Sequence, residues 1–351
     1  MQMPDIEIGD RRVGPGFPCF VIAEAGVNHN GEVELARQMV HTAAESGADA
    51  IKFQTFNAEK LASTHAAKAE YQIVNSHDSE SQLEMLRRLE LDENSVNALR
   101  SECLKSNILF LSTPFDDESV DQLVAFGIPA IKIASGEINN FPLLEHIART
   151  GKTMILSTGM SFLGEVDAAV RAIRSTGNNQ LALLHCTSNY PALPVEMNLR
   201  AMHTLAQAFQ LPVGLSDHSE GIEIPLAAVA MGACILEKHF TLDRSLPGPD
   251  QASSIGPDEL TSMMQGIRKV EAALGHGRKE PAERELETAA VARKSLVAYE
   301  KIPAGTKIEK GQIAIMRPGT GLAPGMLPYV VGRVAKLDIP AGELITFEML
   351  K

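Results

Sequence analysis

Two histidines follow or close neighbouring apolar segments, and their type and placement suit a metal ion. His218 comes directly after the run "PVGLSD" at 212–217, and His239 lies within the run "CILEKHFT" at 234–241. Where such runs are adjacent parallel strands, both imidazoles meet at one edge and can bind a single divalent cation. Either histidine alone would more often be a structural residue held by a hydrogen bond. As a pair, the two predict a metal site whose remaining positions are open to substrate.

Lysines and hydroxyls at other segment ends suit a phosphate group with a carboxylate nearby. Lys52 and Lys132 lie within apolar runs, where an unpaired charge is costly to bury. Hydroxyl groups beside glycines, together with backbone N–H groups, donate hydrogen bonds to such an anion. A structural alternative is that the lysines pair with Glu24 and Glu137. The polar residues at these ends are Glu24, Lys52, Gln54, Thr113, Lys132, Ser135, Glu137, Ser157, Thr158, His185, Ser188, Tyr190, Ser216, His218, Lys238 and His239.

Short apolar runs alternate with helical segments, which indicates an α/β fold of the (β/α)₈ TIM-barrel type. Near-continuous apolar character is typical of strands buried on both faces of a parallel sheet. Segments 32–47 and 257–274 carry apolar residues at helical spacing. A doubly wound sheet is the alternative, but polar residues at nearly every strand end favour a barrel, which gathers them at one mouth. The predicted strands are 19–26, 48–55, 108–114, 130–136, 153–159, 181–187, 212–217 and 234–241.

Two further segments accompany the barrel pattern. The opening "IEIGDRRVG" predicts a short hairpin that covers the N-terminal mouth of the barrel. The loop at 56–80 is long, and long loops within compact domains are often functional.

The sequence changes character near residue 276 and predicts a second domain. We expect a catalytic barrel over 1–275, a partly helical linker over 276–294 and a small all-β domain over 295–351. Within the last, "IPAG" occurs twice, which indicates two related turn-and-strand elements. Because so small a unit is marginal alone, it should dock on its own barrel or on that of a partner.

Charge and cysteine usage exclude several classes of partner. A formal net charge of −12 disfavours nucleic acid and anionic membrane surfaces. No apolar run approaches the roughly 20 residues of a membrane span, and the N-terminus has no signal-peptide pattern. The cysteines lack CxxC spacing, so we expect reduced core residues of a cytoplasmic protein.

Taken together, the segment ends resemble the sialic acid synthase family, the bacterial nonulosonic acid synthases. The resemblance covers essentially the whole chain, and its motifs are specific in combination. The C-terminal "MRPGTG" is similar to the antifreeze-like SAF domain that follows these synthases. The matching stretches are "IAEAGVNHNG", "AIKFQT", "SQLEMLRRLEL", "LSTPFD", "IKIASGEI", "LSTGM", "HCTSNYP", "GLSDHS", "EKHFTLDR" and "PGPD".

The resemblance implies a metal-dependent transferase reaction. Phosphoenolpyruvate condenses with the aldehyde of an N-acylated mannosamine-type sugar, giving a nine-carbon 2-keto acid such as N-acetylneuraminate and free phosphate. A divalent metal, Mn²⁺ or Mg²⁺, on His218 and His239 polarises the aldehyde. Glu24 and Glu137 stabilise positive charge at C2, and the metal or Glu137 activates the water that adds there.

By position, the resemblance also implies which residues bind the substrates. Arg317, from the SAF domain of a partner subunit, contacts the N-acyl group, so a domain-swapped homodimer is implied. Acceptor-sugar contacts fall on Gln54, Glu137, Tyr190 and Asp250. The phosphoenolpyruvate pocket falls on Lys52, Thr113, Lys132, Ser135, Ser157, Ser188 and Ser216.

The chain departs from its relatives at two positions. Many members have histidine at the position of Gln251, which places the local sugar contacts in question, and some have an amide at the position of Ser188. The acceptor stays open between N-acetylmannosamine and 6-deoxy diacetamido sugars. The alternatives are a barrel enzyme that makes a shorter 3-deoxy keto acid from a sugar phosphate, and a catalytically silent carbohydrate-binding protein.

Overall fold

The computed structural model of the protein describes residues 4–69, 72–73 and 80–351. The chain divides into two compact units, Met1–Gly275 and His276–Lys351. Residues 70–71 and 74–79, which belong to the long loop predicted at 56–80, lie outside the described residues. The described part of this loop contains the short helix Ala58–Leu61.

The first unit is a closed barrel of parallel strands with helices around it, which confirms the predicted fold class. Each strand pairs with the next along the chain, and the last pairs with the first, with His239 opposite Glu24 and Glu24 opposite Lys52. The barrel strands are β3 (Phe20–Gly26), β4 (Ala50–Thr55), β5 (Leu109–Pro114), β6 (Ala130–Ile133), β7 (Thr153–Ser157), β8 (Leu181–Cys186), β9 (Val213–Asp217) and β10 (Ile235–His239).

The two helices predicted from the sequence are present, with ends close to those expected. The predicted helix at 32–47 spans Val33–Glu45, and Gly47 adopts a positive φ of 84° that turns the chain toward β4. The helix predicted at 257–274 spans Pro257–Leu274. The other helices of this unit are Gln82–Leu89, Glu93–Lys105, Asp117–Ala125, Phe141–Arg149, Leu163–Ser175, Ala201–Phe209 and Glu223–Ala230.

One predicted strand is shorter than expected. The run 130–136 ends as a strand at Ile133, and Ser135–Glu137 forms a 3₁₀ turn. The predicted run extended beyond Ile133 because Ala134 and Gly136 are small and nonpolar. These residues do not pair with a neighbouring strand.

A hairpin closes the N-terminal end of the barrel, as the sequence predicts. Strands β1 (Ile6–Ile8) and β2 (Arg11–Val13) pair in antiparallel fashion. The side chains of Ile6, Ile8 and Val13 are buried in one cluster with the inward-facing apolar residues of the barrel strands. Burial of these three apolar side chains stabilises the packing of the hairpin on the N-terminal end of the barrel.

Side chains alternate between the two faces of each barrel strand and divide the interior into two halves. In β3, Phe20 and Ile22 belong to the inner cluster, and Glu24 follows at the same parity. The residues between them, such as Val21 and Ala23, belong to the larger core between strands and helices. The barrel interior is therefore apolar toward its N-terminal end and polar toward the C-terminal ends of its strands.

The second unit contains a small antiparallel sheet. Strands β11 (Ser295–Ala298) and β12 (Ile313–Met316) pair, and the "IPAG" repeats meet at Ile302 and Ile339, which exchange two backbone hydrogen bonds of 2.9 Å. The segment predicted as a linker contains the helix Glu283–Ala292, and a short helix spans Leu327–Val330.

Membrane-spanning helices are absent from the described part of the chain, since none of its helices combines sufficient length with sufficient apolar character.

Candidate active site

A cavity of about 520 Å³ opens at the C-terminal ends of the barrel strands and brings together most of the predicted site residues. Glu137 is not among the described residues that line it, and its carboxylate accepts a 2.7 Å hydrogen bond from Asn140. Arg317 belongs to the second unit, where its Nε donates to the Ala292 carbonyl oxygen. The predicted residues that line the cavity are Glu24, Lys52, Gln54, Thr113, Lys132, Ser135, Ser157, Ser188, Tyr190, Ser216, His218, His239 and Asp250.

Two buried ammonium groups lie on the floor of this cavity. Lys52 Nζ is 2.8 Å from a Glu24 carboxylate oxygen and donates to Thr113 Oγ1 at 2.9 Å. Lys132 Nζ donates to Ser157 Oγ at 2.7 Å and to the Ile133 carbonyl oxygen at 3.0 Å. Both lysines are thus held by neighbouring strands with their charged ends in the cavity. The structural alternative of a Lys52–Glu24 pair holds alongside the functional one, because the pair itself faces the cavity.

Glu237 joins the two lysines, and the sequence analysis missed it. Its carboxylate oxygens lie 3.5 Å from Lys132 Nζ and 3.9 Å from Lys52 Nζ, and one accepts a 3.1 Å hydrogen bond from Ser216 Oγ. The signal was present in the alternation of β10, because Glu237 and His239 share one face of the strand. Lys238, which the sequence analysis placed among the strand-end residues, faces the other way and pairs with Asp217 at 2.6 Å.

The electrostatics of this cluster favour an anion. Burial raises the pKa of Glu24 to about 8, against the opposing effect of Lys52. Burial also tends to raise the pKa of Glu237, but Lys132 and Lys52 bring it below its ordinary value. With Glu237 ionised and Glu24 close to its pKa near neutral pH, the two ammonium groups are only partly compensated. A phosphate or carboxylate group would complete the balance of charge.

The two predicted metal-binding imidazoles are neighbours across β9 and β10. The ring centroids of His218 and His239 are 5.3 Å apart, and the ring of Tyr190 lies against both. His218 Nδ1 is 2.8 Å from the Thr187 carbonyl oxygen, which requires a proton on that nitrogen, so Nε2 is an acceptor in the neutral ring. Burial opposes the charged form of His218, but Cys186 brings its pKa above the ordinary value, so a cation binding at Nε2 would release a proton. Burial holds the pKa of His239 well below its ordinary value, so this ring is neutral.

These two rings fit a divalent cation. His239 Nδ1 is buried and finds no hydrogen-bond partner among the described residues, and a ring nitrogen left in that state is costly. Neutral imidazole is a common ligand for first-row divalent metals. Within the described ranges, no group of three or more histidine, cysteine or acidic side chains forms a ligand set, so the protein would supply the imidazole pair and leave other positions open.

A tight corner of small residues adjoins Lys132. The Gly159 backbone N–H donates to Ser135 Oγ at 2.9 Å. A Cβ at Gly159 would collide with Ser188 Oγ and lie 2.8 Å from Ser135 Oγ, so a larger residue there would displace these two hydroxyls. Cys186, expected as a core residue, lines the cavity here, with its sulfur 3.8 Å from His218 Nδ1. Hydroxyl and backbone donors packed this closely suit the oxygens of a phosphate group.

The upper wall of the cavity is mainly apolar, although Gln72 and Gln82 also line it. The helix Ala58–Leu61 and the helix Gln82–Leu89 form a small hydrophobic cluster with residues that follow β3, β4 and β5, and much of this cluster faces the cavity. No motif in the sequence indicated this wall, because it is assembled from a loop and a helix far apart in the chain. Its cavity-lining members are Val27, Leu61, Ala62, Ala66, Ala67, Ala69, Met85, Leu86, Leu89 and Phe115.

Asp250 lines the cavity, whereas Gln251 does not. Burial raises the pKa of Asp250 to about 6, with His218 and Lys52 opposing the rise. The side chain of Gln251 is buried and bonded to other parts of the protein. The departure at Gln251 therefore concerns the support of the site and not a direct contact with a ligand in the cavity.

Comparison with known proteins places these features in one group. Residues 39–279 match the NeuB family, and residues 293–351 match the SAF domain. The chain is 46% identical to an N,N'-diacetyllegionaminic acid synthase of Legionella pneumophila, covering 96% of each chain. It is 33% identical to the N-acetylneuraminate-9-phosphate synthase of Homo sapiens, covering 97% of this chain and 95% of that one. The crystal structure of an N-acetylneuraminic acid synthetase from Leptospira borgpetersenii superimposes with a TM-score of 0.74 at 38% identity, covering 82% of this chain and 95% of that one.

Proposed function

Because this chain belongs to the NeuB family, we propose that it condenses phosphoenolpyruvate with the open-chain aldehyde of an N-acylated mannosamine-type sugar. C3 of phosphoenolpyruvate bonds to the aldehyde carbon, water adds at C2, and phosphate leaves by cleavage of the C2–O bond. The product is a nine-carbon 2-keto sugar acid. The observation that carries the proposal is that two buried ammonium groups and two imidazoles face one cavity.

The chain offers phosphoenolpyruvate a site on the cavity floor. Lys52 and Lys132 would bind its negative charges, and the hydroxyls of Thr113, Ser157 and Ser216 already point at these lysines or at Glu237. The hydroxyls of Ser135 and Ser188 would donate to phosphate oxygens, with Ser135 Oγ held by the Gly159 backbone N–H.

His218 and His239 would bind a divalent cation, Mn²⁺ or Mg²⁺, beside this floor. Such a cation supplies Lewis-acid polarisation of the aldehyde oxygen when it is bound. Glu24 and Glu237 line the cavity beside the lysines, where the ionised carboxylate of Glu237, and that of Glu24 when it is deprotonated, would stabilise positive charge that develops at C2. Glu137 is not among the described lining residues, and its contact to the sugar and its roles at C2 and toward the attacking water stay predictions.

We further propose an acceptor without a phosphate group, carrying a methyl group at its far end and two N-acyl groups. Lys52 and Lys132 supply the only ammonium or guanidinium groups among the described lining residues, and the floor of the cavity occupies both. The loop positions outside the described residues include no lysine or arginine. The apolar wall suits methyl groups, in agreement with the name of the Legionella relative.

Phosphate release over a panel of acceptors tests this proposal. We expect acceptor-dependent release from phosphoenolpyruvate, fastest with 2,4-diacetamido-2,4,6-trideoxymannose, slower with N-acetylmannosamine and slowest with N-acetylmannosamine 6-phosphate. Each step down should cost about tenfold or more in kcat/KM, since mismatched methyl and charged groups meet an apolar wall. A preference for the phosphorylated sugar would overturn the acceptor assignment alone. The absence of release with every acceptor would overturn the reaction.

The second unit is proposed to act on a partner subunit. Apolar side chains are exposed on loops after the barrel strands, including Phe162 at 85% and Val195 at 87% exposure. Large apolar side chains that are this exposed are typical of a surface that another chain covers. We propose a homodimer in which Arg317 of each chain reaches the cavity of the other, where its guanidinium would bind the N-acyl oxygen.

Coexpression of two inactive chains distinguishes this exchange from action within one chain. The variants are His218→Ala and Arg317→Ala, each carrying a different affinity tag so that the mixed dimer can be purified. If Arg317 acts on the partner, one cavity of the mixed dimer has both groups intact, and about half of the wild-type activity returns. Activity no greater than that of the parent variants would show that no intact cavity forms and would contradict the exchange.

A further inference from the structure

The segment that carries Asp250 is an excursion from the end of β10. It leaves after Phe240 and returns at Ile255, where the Ile255 N–H donates to the His239 carbonyl oxygen and the Thr241 N–H donates to the Ile255 carbonyl oxygen. The two ends of the excursion are therefore fixed beside His239. Asp250 lies near its tip and reaches the cavity.

The carboxylate of Asp250 has no hydrogen bond of its own from the described residues, although it is buried. Its position must then come from its backbone. The Asp250 carbonyl oxygen accepts a 2.7 Å hydrogen bond from Ser254 Oγ, which in turn accepts from Asn28 Nδ2 at 2.8 Å. Asn28 follows β3, so this chain of bonds ties the excursion to another strand end.

Gln251 makes the second connection between the excursion and the neighbouring segments, directly through its own side chain. Its side chain is 1% exposed, its Nε2 donates to the Asn28 carbonyl oxygen at 2.8 Å, and its Oε1 accepts from the Thr241 hydroxyl. The carbonyl of Asn28 can only accept, so the orientation of the amide is determined by chemistry. One side chain thus joins the loop after β3, the end of β10 and the residue next to Asp250.

We propose that Gln251 is a positioning residue that holds Asp250 toward the acceptor sugar. The inference rests on the proposed function and on the expected contact between Asp250, which lines the cavity, and the acceptor sugar. The requirement at this position is one donor and one acceptor in a fixed plane. Glutamine meets it, a neutral imidazole meets it, and leucine or a carboxylate does not.

Steady-state kinetics of Gln251→Leu and Gln251→His, with each substrate varied in turn, tests the assignment. Gln251→Leu should raise the KM of the acceptor about tenfold and leave the KM of phosphoenolpyruvate within about twofold, because only the acceptor side loses its support. Gln251→His should restore the acceptor KM to within about threefold of the wild type. Thr241→Val removes one end of the tie and should give a smaller shift of the same kind, which keeps the test available if Gln251→Leu does not fold.

Asn178→Leu is the matched control. Asn178 is also a buried amide bonded to backbone groups, donating to the Ala148 and Lys152 carbonyl oxygens, but it lies before β8 at the opposite end of the barrel. We expect it to lower thermal stability without changing either KM. Equal changes in both KM values for Gln251→Leu, or no rescue by Gln251→His, would overturn the positioning role. A wild-type protein without acceptor-dependent phosphate release would instead overturn the proposed reaction.

Discussion

The His218→Ala protein is expected to lose Mn²⁺ binding and activity while staying folded. His218 Nδ1 is bonded to the Thr187 carbonyl oxygen and its ring packs on Tyr190, so alanine removes one of the two proposed metal ligands at the cost of that hydrogen bond and that ring contact. We expect Mn²⁺ affinity, followed by electron paramagnetic resonance, to fall by at least about 100-fold. The rate of phosphate release should fall by about 1,000-fold or more. Circular dichroism should show a wild-type fold.

His185→Ala is the matched control for this variant. His185 is on the neighbouring strand β8 but faces the helices, with its Nε2 2.7 Å from the Met197 carbonyl oxygen. Its removal should cost about 1–3 kcal/mol of stability, from the loss of a partly buried hydrogen bond, and leave Mn²⁺ affinity unchanged. Undiminished Mn²⁺ binding by His218→Ala, or full activity in metal-free buffer, would remove the imidazole pair from the proposal.

Glu237→Gln should separate anion binding from turnover. The neutral amide leaves Lys52 and Lys132 with less compensating charge, so the affinity for phosphoenolpyruvate should be unchanged or higher. Turnover should fall by about 100-fold or more, because a carboxylate that stabilises positive charge at C2 is lost. Inorganic phosphate should raise the melting temperature of the variant more than that of the wild type, since the anion replaces the missing charge.

Asp49→Asn tests whether any buried carboxylate would give this result. Asp49 is buried at the N-terminal side of the barrel, where it pairs with Arg268 and accepts from the Val21 N–H. Its replacement should lower stability and leave turnover and the phosphate effect unchanged. A rise in the KM of phosphoenolpyruvate in Glu237→Gln, with normal turnover, would make Glu237 a structural partner of the lysines only.

The fold was readable because parallel strands leave a strong pattern. Each barrel strand is a short, largely apolar run with polar residues at or just beyond its C-terminal end, and the helices between them repeat apolar residues at helical spacing, as in Pro257–Leu274. The hairpin was readable from alternation in "IEIGDRRVG". The end of β6 was predicted too far along the chain, because small residues continue the apolar run after the strand has stopped pairing.

The sequence predicted site residues where a polar side chain at a strand end was sufficient evidence. It did not predict them where the direction of the side chain, toward the barrel interior or toward the helices, had to be known. Glu237 and Lys238 are adjacent and both charged, and only the two-residue period of a strand assigns the first to the interior and the second to the helices. The apolar wall needs contact between segments far apart in sequence. The sequence left open how Gln251 affects the local sugar contacts, and only the structure shows that its side chain bonds to Asn28 and Thr241 rather than lining the cavity.

The hairpin of β1 and β2 has a consequence for the order in which substrates enter. Ile6, Ile8 and Val13 fill the N-terminal end of the barrel, so substrates and products would enter and leave through the opening at the C-terminal ends of the strands. In the proposed reaction the enol phosphate sits deepest, on Lys52 and Lys132, so it must arrive before the sugar lies above it. The sugar, which binds last, would lie nearest the opening, and the sugar acid product would have to leave through that opening before the next phosphoenolpyruvate could bind.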